Sequence, residues 1–325
     1  MRSLLFTILL LLPWLSFSQD TFSIGAVDTI TGEIGSAGAS CIDETQIQGG
    51  AIIISDIIPG RGAIHTQSYW NATNQQNAHA RMVEGLSPQE IIDWLVANDV
   101  ANNPTRRQYG IVDFDSAGNP RSAGFTGTNC LDYKNHITGP NYAIQGNILL
   151  GPEILDSIEA RFLNTPGSLP EKLMAALQGA NVPGADSRCL ENGTSSLSAF
   201  IRVAWPSDTN GTFYLDLNVP SIPEGMEPID SLQILFDEWL NTVVSIPENS
   251  IEFRIYPNPA RDFITVNVTG AEEVWIFNSL GQMVYHETVP YEEDEIDFSD
   301  LPAGIYIVRL MGQGEERQSK LIVTH

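Results

Sequence analysis

Near residue 250 the spacing of apolar side chains changes, and no single layer of secondary structure can satisfy both patterns. Upstream, Leu232, Leu235, Phe236, Trp239, Leu240 and Val243 recur at helical spacing. Downstream the period is two. The segments Phe263–Val268, Glu273–Phe277, Met283–Thr288, Gly304–Leu310 and Lys320–Val323 are short and apolar-alternating, with turn residues such as Ser279-Leu280-Gly281-Gln282 between them. Strands of that length and spacing predict a small β-sandwich. Ile246-Pro247-Glu248-Asn249 breaks the helical pattern between the two regions. A chain of 325 residues is long enough for two domains. The expected layout is a leader over 1–18, a first domain over 19–245, a linker over 246–252 and a sandwich over 253–325.

The first domain reads as strands, then helices, then strands. Phe22 to Val27 and Glu33 to Ser40 flank the turn Asp28-Thr29-Ile30-Thr31-Gly32, which predicts a hairpin. Ala51–Ile58, Tyr109–Phe114, Ser198–Trp205 and Thr212–Val219 are further strand candidates. Ser87-Pro88-Gln89-Glu90 and Ser168-Leu169-Pro170-Glu171 are capping boxes that open helices. Between them, Ile154, Leu155, Ile158 and Phe162 form one stripe of a helix over 151–163. Pro220 to Pro228 leads into the last helix. This order predicts a layered α+β domain with helices covering a sheet.

Residues 1–18 have the form of a signal peptide. Arg2 gives the positive start, Leu4 to Leu15 the short apolar core, and Ser16-Phe17-Ser18 the small-x-small cleavage pattern, so the mature chain would start at Gln19. No later apolar run predicts a transmembrane helix. The formal charge of -24 repels phosphate backbones and anionic head groups, which argues against nucleic acid and charged lipid as partners. Cys41, Cys130 and Cys189 predict one disulfide and one free or buried thiol, and their spacings fit no zinc motif. No cofactor or metal motif is evident. Asp113 to Asn119 brushes a calcium-loop pattern but lacks its closing glutamate, so it reads as a hairpin turn. Glu292-Glu293-Asp294-Glu295 reads as a solvated loop. His65, His79 and His136 have no partner at readable spacing and read as core or surface histidines.

Two sets of motifs are more specific. Tyr256-Pro257-Asn258-Pro259, Asn278-Ser279-Leu280-Gly281, Leu301-Pro302-Ala303-Gly304-Ile305-Tyr306 and Lys320-Leu321-Ile322-Val323 resemble the type A sorting domain of the type IX secretion system. The resemblance implies partnership with that machinery, passage through the outer membrane, removal of the domain, and release or attachment at the cell surface. In the first domain, Thr21-Phe22-Ser23-Ile24, Gly32-Glu33-Ile34-Gly35, Thr66-Gln67, Gly110-Ile111-Val112-Asp113, Ala143-Ile144-Gln145-Gly146-Asn147 and Gly184-Ala185-Asp186 resemble the family catalogued as domain of unknown function 1028. That family is similar in fold to the N-terminal nucleophile hydrolases, a four-layer αββα sandwich.

The resemblance implies an architecture rather than a reaction, and the fold class says what a reaction there would need. In such hydrolases the residue heading the first strand attacks an amide carbon, and its own free α-amine, with a pKa of roughly 8, takes the proton. Thr21 occupies that place. Gln145 and Asn147, read as part of a glycine-bearing turn, are candidate oxyanion donors. Asp28, Asp186 and Arg188 are candidates for orienting substrate or nucleophile. Each has a plain structural rival. Thr21 is also an ordinary strand-edge residue, and cleavage before Gln19 leaves its nitrogen in a peptide bond. Gln145 and Asn147 also suit backbone satisfaction in a turn, and Asp186 with Arg188 suits a structural ion pair. Two functions follow: a hydrolase of small amide or peptide-like substrates, or a non-catalytic extracellular binding or surface protein. They divide at the mature N-terminus.

Overall fold

The computed structural model describes residues 21–209, 211–244, 253–268, 273–288, 293–297, 299–312 and 315–324. The signal-peptide reading over 1–18 and the linker reading over 246–252 lie outside the described residues. The chain divides into two units, Met1–Asn241 and Thr242–His325. It is a mixed α/β protein with several antiparallel sheets.

The first unit contains β1 (Thr21–Val27), β2 (Ile34–Ser40), β3 (Ser55–Ile58), β4 (Gly62–Gln67), α1 (Ala72–Val83), α2 (Pro88–Ala97), β5 (Gln108–Phe114), β6 (Pro120–Thr126), β7 (Asn135–Gly139), β8 (Tyr142–Gly146), α3 (Glu153–Asn164), α4 (Leu169–Gly179), β9 (Ser198–Ala204) and β10 (Leu215–Val219). α5 (Pro228–Val244) begins in it. One six-stranded sheet has the order β10-β9-β2-β1-β8-β7, so β1 is central. A four-stranded sheet has the order β3-β4-β5-β6.

Side chains alternate across each strand, and the alternation sorts the core. On one face of β1, Phe22, Ile24 and Ala26 pack with Ile154, Ile158, Leu173 and Leu177 of α3 and α4. Each is fully buried, and burial of an aliphatic side chain of this size stabilises the fold by about 1.5–3 kcal/mol. Ala78, Met82, Ile91 and Leu95 of α1 and α2 cover Tyr109, Ile111 and Ala123 of the second sheet. The opposite faces of the two sheets meet: Val27 and Ile34 of the first sheet cluster with Ile57, Ala63 and Val112 of the second.

Both predicted capping boxes form, at Ser87 with Glu90 and at Ser168 with Glu171. Cys41 and Cys189 are disulfide-bonded. Cys130 is a buried thiol whose Sγ donates to the Arg107 carbonyl at 3.3 Å. Asp115 Oδ1 accepts three bonds from Ala117 and Asn119 in the β5–β6 hairpin turn.

Several expectations need correction. The strand expected over Ala51–Ile58 is a 3-10 turn over Gly50–Ile54 followed by β3. Gly49 and Gly50 turn the chain with positive φ angles of 85° and 65°, a region glycine enters without steric cost. Thr212–Val219 narrows to β10, because Asp208 accepts from the Tyr214 amide ahead of it. Gln145 lies inside β8 rather than in a turn.

The second unit contains β11 (Phe253–Tyr256), β12 (Phe263–Val268), β13 (Glu273–Phe277), β14 (Met283–Thr288), β15 (Glu293–Asp297), β16 (Gly304–Gly312) and β17 (Glu315–Val323). They form sheets of order β11-β12-β15 and β14-β13-β16-β17 around Ile264, Val274, Ile276, Val308, Leu310 and Leu321. The acidic run expected to be a loop enters β15, because the β12 backbone supplies ladder partners that charge patterning does not reveal. Asn258 of the Tyr-Pro-Asn-Pro motif donates to the Lys320 carbonyl at 2.7 Å and accepts from the Ile322 amide at 3.0 Å.

Candidate active site

Between the two sheets of the first unit, polarity changes along every strand. The inward positions of β1 run Val27, Gly25, Ser23, Thr21. Those of β4 run Ala63, His65, Gln67, and those of β5 run Val112, Gly110, Gln108. On β8 and just beyond it they run Ala143, Gln145, Asn147. Thr21 therefore sits at the polar end of a layer that is apolar at the other.

Thr21 is 1% exposed. Its carbonyl accepts from the Asn147 backbone amide at 3.2 Å and from Gln67 Nε2 at 3.0 Å. Its Oγ1 is buried and has no hydrogen-bond partner among the described residues. The side chain lines a cavity of about 10 Å³ with Ser40, Ile42, Gly50, Ala51, Ile53 and Ile54. That volume holds roughly one water.

A circuit of amides surrounds this position. Gln67 Nε2 and Asn147 Nδ2 both donate to Gln108 Oε1, at 2.8 and 2.9 Å. Ser23 Oγ donates to Gln67 Oε1 at 2.7 Å. Gln145 Nε2 donates to Ser23 Oγ at 2.5 Å and to His65 Nδ1 at 2.8 Å. With Nδ1 accepting, the hydrogen-bond pattern assigns the His65 proton to Nε2, which faces Ser36 Oγ at 2.5 Å. Ser36 then donates to Ser55 at 2.7 Å. Burial pushes the His65 pKa down to about 3, so the imidazole is neutral at ordinary pH. Gly110 makes this packing possible, because a Cβ there would lie 1.6 Å from Gln145 Oε1. Three buried oxygens of the region have no partner among the described residues: Thr21 Oγ1, Asn147 Oδ1 and Gln145 Oε1.

The sequence candidates separate in space. Thr21 and Asn147 are neighbours across β1 and the end of β8. Gln145 lies two residues farther in, and its amide nitrogen is taken up by His65 and Ser23. Asp28 sits in the β1–β2 turn, roughly 20 Å along the strand from Thr21, where it accepts from the Ile30 and Thr31 amides. Asp186 is fully buried, pairs with Arg188 at 2.6 Å and accepts from the Cys41 amide at 3.0 Å. It braces the chain just after Ser40 and does not line the Thr21 cavity. Nothing in the sequence alone marks Ser23, Ser36, His65, Gln67 and Gln108 as site residues. The signal for them is an inward polar residue at period two, which resembles a solvent-facing strand position.

The other two histidines also have partners from distant segments. His136 Nδ1 lies 2.9 Å from Thr126 Oγ1. His79 Nδ1 lies 2.8 Å from Asp56 Oδ2, in an open cleft with Ser55, Gln75 and Gln76. Among the described residues no cluster of three or more His, Cys, Asp or Glu side chains is arranged to hold a metal ion.

Comparison with known proteins adds to this geometry. A family model described as a family of unknown function, DUF1028, matches residues 21–231, beginning at Thr21. A model described as a secretion system C-terminal sorting domain matches residues 254–324. A crystal structure of a DUF1028 protein from Silicibacter pomeroyi is 22% identical, covers 68% of this chain and 89% of that one, and superposes with a TM-score of 0.53. The Anbu (ancestral beta-subunit) protein from Yersinia bercovieri is 14% identical over 70% of this chain and 96% of that one, with a TM-score of 0.37. Beta-agarase A from Zobellia galactanivorans is 39% identical over 80 residues, which is 24% of this chain and 14% of the agarase.

Proposed function

This chain belongs to the DUF1028 family, and on that footing we propose that its first domain is an amide hydrolase of the N-terminal nucleophile type. In this reading the two sheets and their covering helices form an αββα sandwich over residues 19–245, joined through 246–252 to the sorting tail over 253–325. The tail carries a secretion system sorting domain, which implies interaction with the type IX machinery and delivery to the cell surface or beyond. Its removal after export belongs to the proposal.

The observation that carries the reading is the Thr21 hydroxyl, buried at the head of a central strand with no hydrogen-bond partner among the described residues. Leaving a buried hydroxyl unpaired costs about 1–3 kcal/mol, and at the head of β1 a reacting group gives that cost a purpose. Cleavage between Asp20 and Thr21 would free the α-amine. That amine takes the Oγ1 proton as Oγ1 attacks the substrate carbonyl carbon, and then returns the proton to the departing nitrogen. Water hydrolyses the resulting ester. Gln67 and the Asn147 amide hold the Thr21 carbonyl and fix the backbone that carries both groups. Asn147 Oδ1 is an acceptor with no partner among the described residues, which suits an N–H of the freed amine better than an oxyanion. Gln145 serves His65, and Asp28, Asp186 and Arg188 stay outside the chemistry.

A specific observation favours a second reading. Thr21 is 1% exposed and its cavity holds about one water, as in a packed core that has kept its polarity and lost its reaction. The domain would then be a non-catalytic extracellular binding protein.

Mass spectrometry of the secreted protein separates the two. The hydrolase reading expects a chain starting at Thr21, with amide turnover that falls about a thousand-fold or more in Thr21→Ala. A secreted chain starting at Gln19 with no amide turnover would support the second reading, and turnover indifferent to that substitution would eliminate Thr21 as the nucleophile.

A further inference from the structure

We infer that the wall facing Thr21 limits the acyl half of the substrate to a one- or two-carbon group, so that the hydrolase acts on formyl or acetyl amides. The inference rests on the nucleophile reading of Thr21 and extends it to a substrate class.

The argument starts from direction. The α-amine both removes the Oγ1 proton and protonates the leaving nitrogen. The leaving group must therefore lie on the amine side, where the chain before Thr21 departs. The proposal places the acyl substituent on the other side, in the cavity that Thr21 lines with Ile42, Gly50, Ala51, Ile53 and Ile54. In the balanced step the Oγ1–C bond forms, the C–N bond breaks as nitrogen gains the proton, and a short acyl ester remains on Thr21. Water then releases formate or acetate.

Size follows from volume. At about 10 Å³ the cavity takes one water-sized group, which is a hydrogen or a methyl and little more. Its lining is mostly aliphatic, so it favours an apolar substituent over a hydrated one.

The wall is also braced against widening. Ser198 Oγ donates to the Ile42 carbonyl at 2.5 Å and accepts from the Ala51 amide at 3.0 Å, tying both ends of the segment to β9. Asn218 donates to the Gly49 carbonyl at 3.1 Å. A Cβ on Gly50 would lie 2.8 Å from Ser198 Oγ and 2.9 Å from the Pro220 carbonyl, so the wall already touches its support. The Cys41–Cys189 disulfide and the bond from the Cys41 amide to Asp186 fix the segment at its start.

The experiment uses the chain from Thr21 to His325, produced behind a removable leader, and a series of p-nitroanilides with formyl, acetyl, butyryl and hexanoyl groups. The expected result is turnover of the formyl and acetyl compounds, with kcat/KM for butyryl at least about a hundred-fold lower. Ile54→Ala should raise the butyryl-to-acetyl ratio about ten-fold or more, and the milder Ile54→Val should move it the same way by less. Equal turnover of acetyl and hexanoyl compounds by the unaltered protein would overturn the acyl limit and leave Thr21 as nucleophile. No turnover of any compound by the Thr21-start chain would overturn the nucleophile reading, and the acyl limit with it.

Discussion

The two ends of the layer between the sheets are built from the same strands and do opposite things. At one end Val27, Ile34, Ile57, Ala63, Val112, Ala143 and Ala204 form an apolar cluster. At the other, Thr21, Ser23, Ser36, His65, Gln67, Gln108, Gln145 and Asn147 are all buried and polar. The strands pass from one chemistry to the other within about two inward positions. The apolar end fixes register without directional contacts, since a one-residue slip would turn every inward side chain outward. The polar end relies on that register, because each of its hydrogen bonds needs a partner on the facing strand. Stability is concentrated at one end, and specificity of arrangement at the other.

Three measurements would break or sharpen this contrast. The largest effect belongs to the apolar end. Ile34→Ala should cost about 2–5 kcal/mol in denaturant unfolding by opening a cavity in a close-packed site. A cost below that of a polar-end substitution would reverse the assignment of roles. Next is pH. His65 is held neutral with its pKa near 3, while an unfolded histidine titrates near 6.5. Between those values the unfolded chain binds the extra proton, so the His65 contribution is present above about pH 6.5 and lost as pH falls toward 3. At pH 4.5 the loss should be about 2–3 kcal/mol, seen as the difference in urea midpoint between the unaltered protein and His65→Gln. Superimposable pH profiles would show that the histidine does not couple to folding. The smallest effect is at the terminus of the circuit: Ser55→Ala should cost about 1 kcal/mol or less, because it removes one bond from Ser36 at a position 8% exposed.

The sequence was legible where local physics decides the structure. The capping boxes at Ser87 and Ser168 form, and β13 and β14 have the limits that their alternation predicts. It was opaque where distant partners decide. α1 has Ala78 and Met82 as its buried apolar residues and otherwise reads as polar, so its stripe falls below recognition. β8 resembles a turn because Gly146 follows Gln145, yet it pairs on both sides, with β1 and β7. Within the candidate site, Thr21 and Asn147 were legible through strand position and family resemblance. Gln67, Gln108 and His65 were not, because an inward polar residue becomes recognisable only when a second sheet brings its partner. Asp28 and Asp186 attracted attention as carboxylates, and both are occupied by neighbouring backbone amides.

The Tyr-Pro-Asn-Pro motif and the closing strand of the sorting tail share their hydrogen bonds. Asn258 binds Lys320 and Ile322, while Ala260 donates to the Ile322 carbonyl and accepts from Thr324. The tail cannot complete this contact until β17 is in place. A message cut short before residue 320 would yield a tail whose opening motif has nothing to grip. The opening motif and β17 thereby lock each other in place across more than sixty residues of chain, so a substitution at Asn258 should loosen the far edge of the sheet as well as its own turn.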